Sequence, residues 1–310
     1  MKAQLILFIS FFTFEIGFCQ SMQSPPPPEK IKILSWNIYM LPGIVKAKGK
    51  GARATAIGEK LKDSDYDVIV FQEAFLRKAR KIIFSQLKEK FPYQTGPANQ
   101  KLISCKTNSG IWIFSKHPIV SSHSIIFKNK SGIDAFSRKG GLIAEVMIDK
   151  TLIQIAGTHL QNSGQAWIRQ SQCVEFYNRL LKPFYKKEVP QVVCGDFNIN
   201  REREEEYSFM LQTLHVTDGQ LNGAQQHTYD RSQNDLHVEP GDQKDLIDYI
   251  LIRDQANQLA STDRQIKMIR KNWDNTHADL SDHFALEAEI KFAYPTLFSK
   301  SKEAVSLLNK

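Results

Sequence analysis

The chain is built from short apolar runs, rich in Ile, Val and Phe, that repeatedly stop at polar residues able to do chemistry. KIKILSW closes on Trp36-Asn37, DVIVF opens onto Gln72-Glu73, and TLIQIAG onto Thr158-His159-Leu160-Gln161. QVVC runs into Gly195-Asp196-Phe197-Asn198, Asp248 sits inside LIDYIL, and Asp282-His283 stand at the mouth of the last run, FALEAEI. Runs this short, bounded by Gly, Pro, Asn and Lys clusters, read as buried strands. Some alternate with helical patterns and others follow one another directly. That mixture predicts an α/β fold of two mixed sheets packed face to face and covered by helices.

Helical periodicity fills the gaps. RATAIGEKLKD is one helix, and the next carries RKARK at 77–81 on a solvated face with Leu76, Ala79, Ile83 and Leu87 inward. AWIRQSQCVEFYNRLL is expected to bury Trp167, Val174, Tyr177 and Leu181, and REREEEYSFMLQTL forms a further helix. LIDYILI, RQIKMIR and FALEAEI read as the closing strands. No internal repeat or composition break follows Pro28, so residues 30–291 read as one domain, with 292–310 an appendix of unread role.

The N-terminus has the layout of an export signal: Lys2, an apolar stretch from Leu5 to Phe14, then small residues at Gly17 and Cys19. Residues 1–19 are expected to be cleaved, which implies a secreted or periplasmic product, and 20–29 form a Pro-rich extended spacer. Without Cys19, the odd set Cys105, Cys173 and Cys194 gives no disulfide framework, and Cys194 reads as a small core residue. The net charge of +8 favours anionic partners, nucleic acid or membrane, without choosing between them.

A lone Glu after a strand is ordinarily a solvated turn, and a lone His a satisfied core residue. Carboxylates, amides and imidazoles leaving strand after strand at the same kind of boundary converge on one sheet edge, where loops carry function. Oxygen donors of this kind suit a hard divalent cation such as Mg²⁺ and point to phosphate chemistry.

SWNIYMLP, FQEAF, NSGIWIFSKHPI, GTHLQ, GDFNIN, LIDYIL and LSDHFAL, in this order, resemble the endonuclease/exonuclease/phosphatase superfamily of metal-dependent phosphoesterases. The resemblance implies a DNase I-like four-layer sandwich. It implies Glu73, Asn37 and Asp282 at a Mg²⁺ site that could also take Mn²⁺ or Co²⁺. Asp196 and Asn198 would orient water and contact phosphate, His283 would be the general base held by Asp248, and His159 would stabilise charge on the phosphoryl oxygens.

Within the superfamily, WNIYMLP, GTHLQ, HTYDRSQND and AFSRKGG (Phe136, Lys139, Gly140) resemble the sphingomyelinases, and the Cys-Asp-Arg string of inositol 5-phosphatases is missing. This implies a sphingomyelinase C acting as a monomer at the periphery of membranes that hold sphingomyelin, with nucleic acid not expected as partner. An extracellular nuclease and a catalytically silent membrane-binding module are the alternatives. Lys139 would meet the phosphate from a Gly-flanked turn, or simply belong to a basic hairpin. Phe75 and Tyr39 could wall a choline pocket or belong to the core. The active-site disulfide of some relatives has no evident Cys pair here.

Bacterial sphingomyelinases enter the bilayer through an aromatic hairpin before the final SDH, and in the matching stretch the sole aromatic residue is Trp273. Docking is therefore expected to lean on charge, through 77–81 with Lys267, Arg270 and Lys271.

Overall fold

A computed structural model describes residues 28–293 except 46, 102, 163 and 238–240. The export signal, most of the Pro-rich spacer and nearly all of the C-terminal appendix fall outside these residues. The chain opens with β1 (Lys30–Met40), α1 (Lys50–Leu61), β2 (Val68–Ala74), α2 (Arg77–Leu87), β3 (Tyr93–Thr95) and β4 (Trp112–Ser115). It continues with β5 (Ile119–Ile126), β6 (Gly140–Ile148), β7 (Thr151–His159), α3 (Ala166–Phe176), β8 (Gln191–Asp196) and α4 (Glu204–Leu214). It closes with β9 (Leu221–Asn222), β10 (Tyr229–Asp230), β11 (Lys244–Asp245), β12 (Asp248–Arg253), β13 (Leu259–Lys267) and β14 (Ala285–Phe292).

These strands form a seven-stranded sheet, β3-β4-β2-β1-β14-β13-β9, and a five-stranded sheet, β12-β8-β7-β6-β5, both mixed, with β10-β11 as a separate pair. β1 shows why its sequence is apolar on both faces. Ile31 and Ile33 enter a core shared with Ile153, Ile155 and Val193 of the second sheet, while Leu34, Trp36 and Ile38 pack with Ala54, Ile57, Ala79 and Ile83 of α1 and α2. Cys173, Phe176, Met210 and Leu214 of α3 and α4 join the core of the second sheet, so helices bear on both sheets. The sheets meet closely at Gly157, where a Cβ would lie 2.8 Å from Ile111 Cγ2 and 3.0 Å from Val70 Cγ1. Each fully buried Ile or Val contributes about 1.5–3 kcal/mol. That seam can carry a polar edge.

α3 buries a different face from the one expected. Ile168, Cys173, Phe176, Leu180 and Leu181 face the core, whereas Trp167 is 52% and Val174 41% exposed. Two features shift the face. The buried Arg169 guanidinium pairs with Glu206 of α4 at 2.6 Å, and the helix ends in a wider turn in which Lys182 N–H reaches back five residues to Tyr177 O. Cys194 is buried as expected, and Cys105 is exposed.

Candidate active site

Strand register assembles the site. β7, β8 and β12 lie side by side, and at their ends His159 pairs with Asp196 and Asp196 with Asp248. Gly157 is on the face that meets the first sheet, so His159, two residues on, shares that face, and register extends it to Asp196 and Asp248. In β1 the same period of two carries Ile31 and Ile33 on to Ser35 and Asn37. Asn37 Nδ2–H donates to Asp196 Oδ2 at 3.0 Å, joining the two sheets at this edge.

His283 faces Asp196 and Asp248 from the mouth of β14. Its Nδ1 is 2.8 Å from Asp248 Oδ2 and its Nε2 3.8 Å from Asp196 Oδ2. Trp36 Nε1–H donates to His283 O at 2.9 Å and Ser281 Oγ–H to Asn37 O at 2.5 Å, which fix the strand mouth. Burial alone would strip the imidazole of its proton. The Asp248 and Asp196 charges outweigh it and hold His283 well above its ordinary range. Asp196 is raised by burial and then by Asp248, against His283, and its Oδ1 accepts the Asn198 N–H at 3.0 Å.

Lys139 is not a free ammonium on an exposed turn. It is 2% exposed and its three donors are committed: to Asp134 Oδ1 at 3.0 Å, Leu160 O at 2.8 Å and His159 Nε2 at 3.1 Å. An ammonium can only donate, so His159 accepts at Nε2 and carries its proton on Nδ1. Burial and then Lys139 push His159 well below its ordinary value, so it is neutral. Its 3.4 Å approach to Asp196 Oδ2 is therefore a contact and not an ion pair.

Glu73 turns into the site from the end of β2 with φ 55°; Tyr39 with φ 51° and Asn198 with φ 52° do the same from the ends of β1 and β8. Non-glycine residues in this left-handed region cost of order 1–3 kcal/mol each and cluster where function demands it. Gly195, with φ 148°, allows the Thr158 carbonyl to lie 2.0 Å from where a Cβ would stand. Glu73 Oε2 is buried without a partner, and burial followed by the Asp282 charge raises the carboxyl. An orphaned carboxylate oxygen that feels the charge of a second carboxylate, Asp282, suits a hard divalent cation, whereas the Asn37 amide already accepts the Tyr39 N–H at 3.1 Å and donates to Asp196. The other candidate group among the described residues is Asp196, Asp248 and His283, whose ligand atoms lie within 4.8 Å of one another.

The remaining expected residues are less well placed. One face of the Tyr39 ring is covered by Arg53 at 5.4 Å, and Phe75 is half-buried beyond Glu73. Trp273 is not a membrane wedge: it stacks on His277 at 5.0 Å and donates to Asp279 O at 2.8 Å. Arg270 pairs with Asp279, Lys271 with Glu59 and Lys267 with Glu287. Arg80 of the 77–81 run is spent on the carbonyls of Ala74 and Phe75.

Sequence reading missed Arg53 and Tyr229. Arg53 is buried and donates to Lys48 O, Ile38 O, Leu280 O and Tyr39 O, clamping β1 to the Ser281 turn. An Arg at an apolar helix position among Ala and Ile was the available signal. Tyr229 stands edge-on to His283 at 5.3 Å and lines a cavity of about 300 Å³ with Asp282, Asn198, Asn162 and Arg203. It opens β10 inside the HTYDRSQND stretch, where no local pattern sets one residue apart as facing the site.

An imidazole held by a carboxylate, a buried acidic cluster and an open polar cavity stand together at the edge of a two-sheet sandwich, as a phosphodiesterase would require. Residues 34–283 match the endonuclease/exonuclease/phosphatase family, to which this chain belongs. Among curated proteins it is 26% identical to a phospholipase C of Staphylococcus aureus over 84% of this chain and 87% of that one. It is 25% identical to a sphingomyelinase C of Bacillus cereus, over 94% and 99%. Among solved structures, a Staphylococcus aureus beta toxin superposes with a TM-score of 0.78 at 26% identity, covering 83% of this chain and 99% of that one. A mutant of that toxin with bound magnesium ions gives 0.77 at 25%, covering 84% and 99%.

Proposed function

We propose that this chain is a Mg²⁺-dependent sphingomyelinase C that hydrolyses sphingomyelin to ceramide and phosphocholine. The observation that carries the reading is the His283–Asp248 pair within the electrostatic reach of Glu73, whose Oε2 is buried without a partner. Relatives named sphingomyelinase C and phospholipase C support the lipid substrate over a nucleic acid.

Glu73 would hold the cation, with Asn37 and Asp282 beside it. The bound cation supplies charge neutralisation on the phosphoryl oxygens and the leaving oxygen. Asp196 and Asn198 orient the attacking water, and His283 Nε2 takes its proton as the water oxygen bonds to phosphorus. The bond from phosphorus to the ceramide oxygen breaks, that oxygen takes a proton from solvent water and leaves as the alcohol, and His283 returns its proton to solvent. Asp248 stabilises the imidazolium and fixes the tautomer that presents Nε2. Against burial, the Asp248 and Asp196 charges raise His283, so the proton it takes at Nε2 is held there as the water oxygen attacks.

The same reading has residues 1–19 removed on export and the mature monomer working at the membrane periphery. Purified protein should release phosphocholine from sphingomyelin with Mg²⁺ and lose that activity reversibly in excess chelator. Cleavage of plasmid DNA without phosphocholine release would instead make it a nuclease.

A further inference from the structure

Trp273, the sole aromatic residue of the stretch expected to touch lipid, is packed against Gly49 and His277, and an exposed apolar and basic surface lies elsewhere. Ile103 is 95%, Ile133 69% and Phe136 70% exposed, and Trp167 at the start of α3 adds a fourth large side chain. Their three segments interlock. Thr107 N–H donates to Phe136 O at 3.1 Å and Arg138 N–H to Thr107 O at 3.1 Å, so the loop bearing Ile103 is zipped to the turn bearing Ile133 and Phe136. Ser131 N–H donates to Gln161 Oε1 at 3.1 Å and Asn162 N–H to Asp134 Oδ2 at 3.0 Å, which ties that turn to the stretch before α3.

Cations surround these side chains. Arg138 Nη1 donates to Lys106 O at 3.2 Å and Lys130 Nζ to Ser137 O at 3.0 Å. Burial, then the Lys106 and Arg138 charges, hold Lys130 below the usual lysine range, so the three cations share one field. The nearby carboxylates are spent elsewhere, Asp134 on Lys139 and Glu175 on Arg179. Large exposed apolar groups on the same three segments as a cluster of cations match an anionic lipid surface, with the side chains entering the headgroup zone.

We propose that the surface formed by Ile103, Ile133 and Phe136 with Lys106, Lys130 and Arg138 is the membrane-docking face of this enzyme. It deepens the sphingomyelinase reading and rests on it for the meaning of docking, because Asp134 links this face to Lys139 and His159, and Asn162 lines the catalytic cavity. A bilayer on this face would deliver headgroups at the cavity rim.

The test is co-sedimentation with phosphatidylcholine vesicles with and without phosphatidylserine, all lacking sphingomyelin, alongside hydrolysis of sphingomyelin in neutral detergent micelles. Wild type should bind better with phosphatidylserine and less well as salt rises. Ile103→Ser with Ile133→Ser should weaken vesicle binding about tenfold or more and leave micellar hydrolysis unchanged, since two buried apolar side chains are lost from the contact. Lys106→Glu should remove much of the salt-sensitive part. Wild-type binding by both variants, or loss of binding in Trp273→Ala alone, overturns the docking face. A dimer in sedimentation velocity that Ile133→Ser dissociates would also overturn it, in favour of a second copy. Vesicle binding by a wild type inert on micellar sphingomyelin would leave docking standing and defeat the substrate reading instead.

Discussion

His283 Nδ1 lies 2.8 Å from Asp248 Oδ2, and the two residues come from different sheets: His283 precedes β14 of the larger, Asp248 begins β12 of the smaller. The pair exists only while the sheets are packed. Catalysis and tertiary structure are therefore coupled at this bond, as they are again where Asn37 of β1 meets Asp196 of β8.

Asp248→Asn should fold and lose turnover by about 10²–10⁴-fold, because an amide can hold the imidazole but cannot stabilise its positive charge. The pH–rate profile distinguishes this from a structural role. With the main countercharge gone, the His283 limb should move to lower pH; an unchanged limb and rate would mean that Asp248 only fills space.

Arg53→Met should destabilise the protein by about 2–4 kcal/mol, because it leaves several buried carbonyls without donors. Burial already depresses this guanidinium to about 10, so it is held by those carbonyls at a real desolvation cost. Arg53→Lys should rescue little, since one ammonium cannot reach Lys48 O, Tyr39 O and Leu280 O together. Urea unfolding measures both, and full stability of the Met variant would refute the clamp.

Gly195→Ala should be more damaging than an alanine on an open loop. The added Cβ would stand 2.0 Å from Thr158 O, a backbone atom of the neighbouring strand, with φ at 148°. One strand must move, and Asp196 moves with it. Expected is a loss of at least about 3 kcal/mol or failure to fold, read by thermal melting and soluble yield.

Much of this was legible in the residues because period-two alternation carries both packing and chemistry. The pattern that buries Ile31 and Ile33 also aims Asn37 inward, and the one that seats Gly157 at the seam aims His159. What stayed hidden depends on departures from regularity. No local pattern announces that Glu73, Tyr39 and Asn198 take positive φ. α3 and the turn that follows it bury the stripe of Ile168, Gln172, Phe176 and Leu180, one position off the one that holds Trp167, and the commitment of all three Lys139 donors is a tertiary fact that a Gly-flanked basic turn does not reveal. Trp273, a poor wedge on sequence grounds, is held against Gly49, where a Cβ would meet its ring at 2.1 Å, a contact no local pattern announces.

The last prediction links metal, proton and stability. Glu73, Asp196 and His283 all have folded-state pKa values raised above their ordinary ones: the two carboxyls by burial, then by Asp282 and Asp248 respectively, and the imidazole by Asp248 and Asp196 against burial. A raised pKa means that the folded state binds the proton more tightly than the unfolded one. The stability these groups contribute is present below the unfolded values and is lost as pH rises through the folded ones. Metal-free protein should therefore melt at lower temperature at about pH 8.5 than at about pH 6, a loss of about 1.4 kcal/mol for each pH unit within that window over which a group keeps its proton in the folded state and has lost it in the unfolded one. Mg²⁺ binds the deprotonated carboxylates and competes with their protons, so its stabilising effect should be larger at the higher pH. Thermal melts with and without chelator at both pH values measure this, and Glu73→Gln should abolish most of the Mg²⁺ increment while raising the metal-free melting temperature at high pH. An increment independent of pH, or one that survives Glu73→Gln in full, would place the cation elsewhere, and the Asp196, Asp248 and His283 group would be the next site to test.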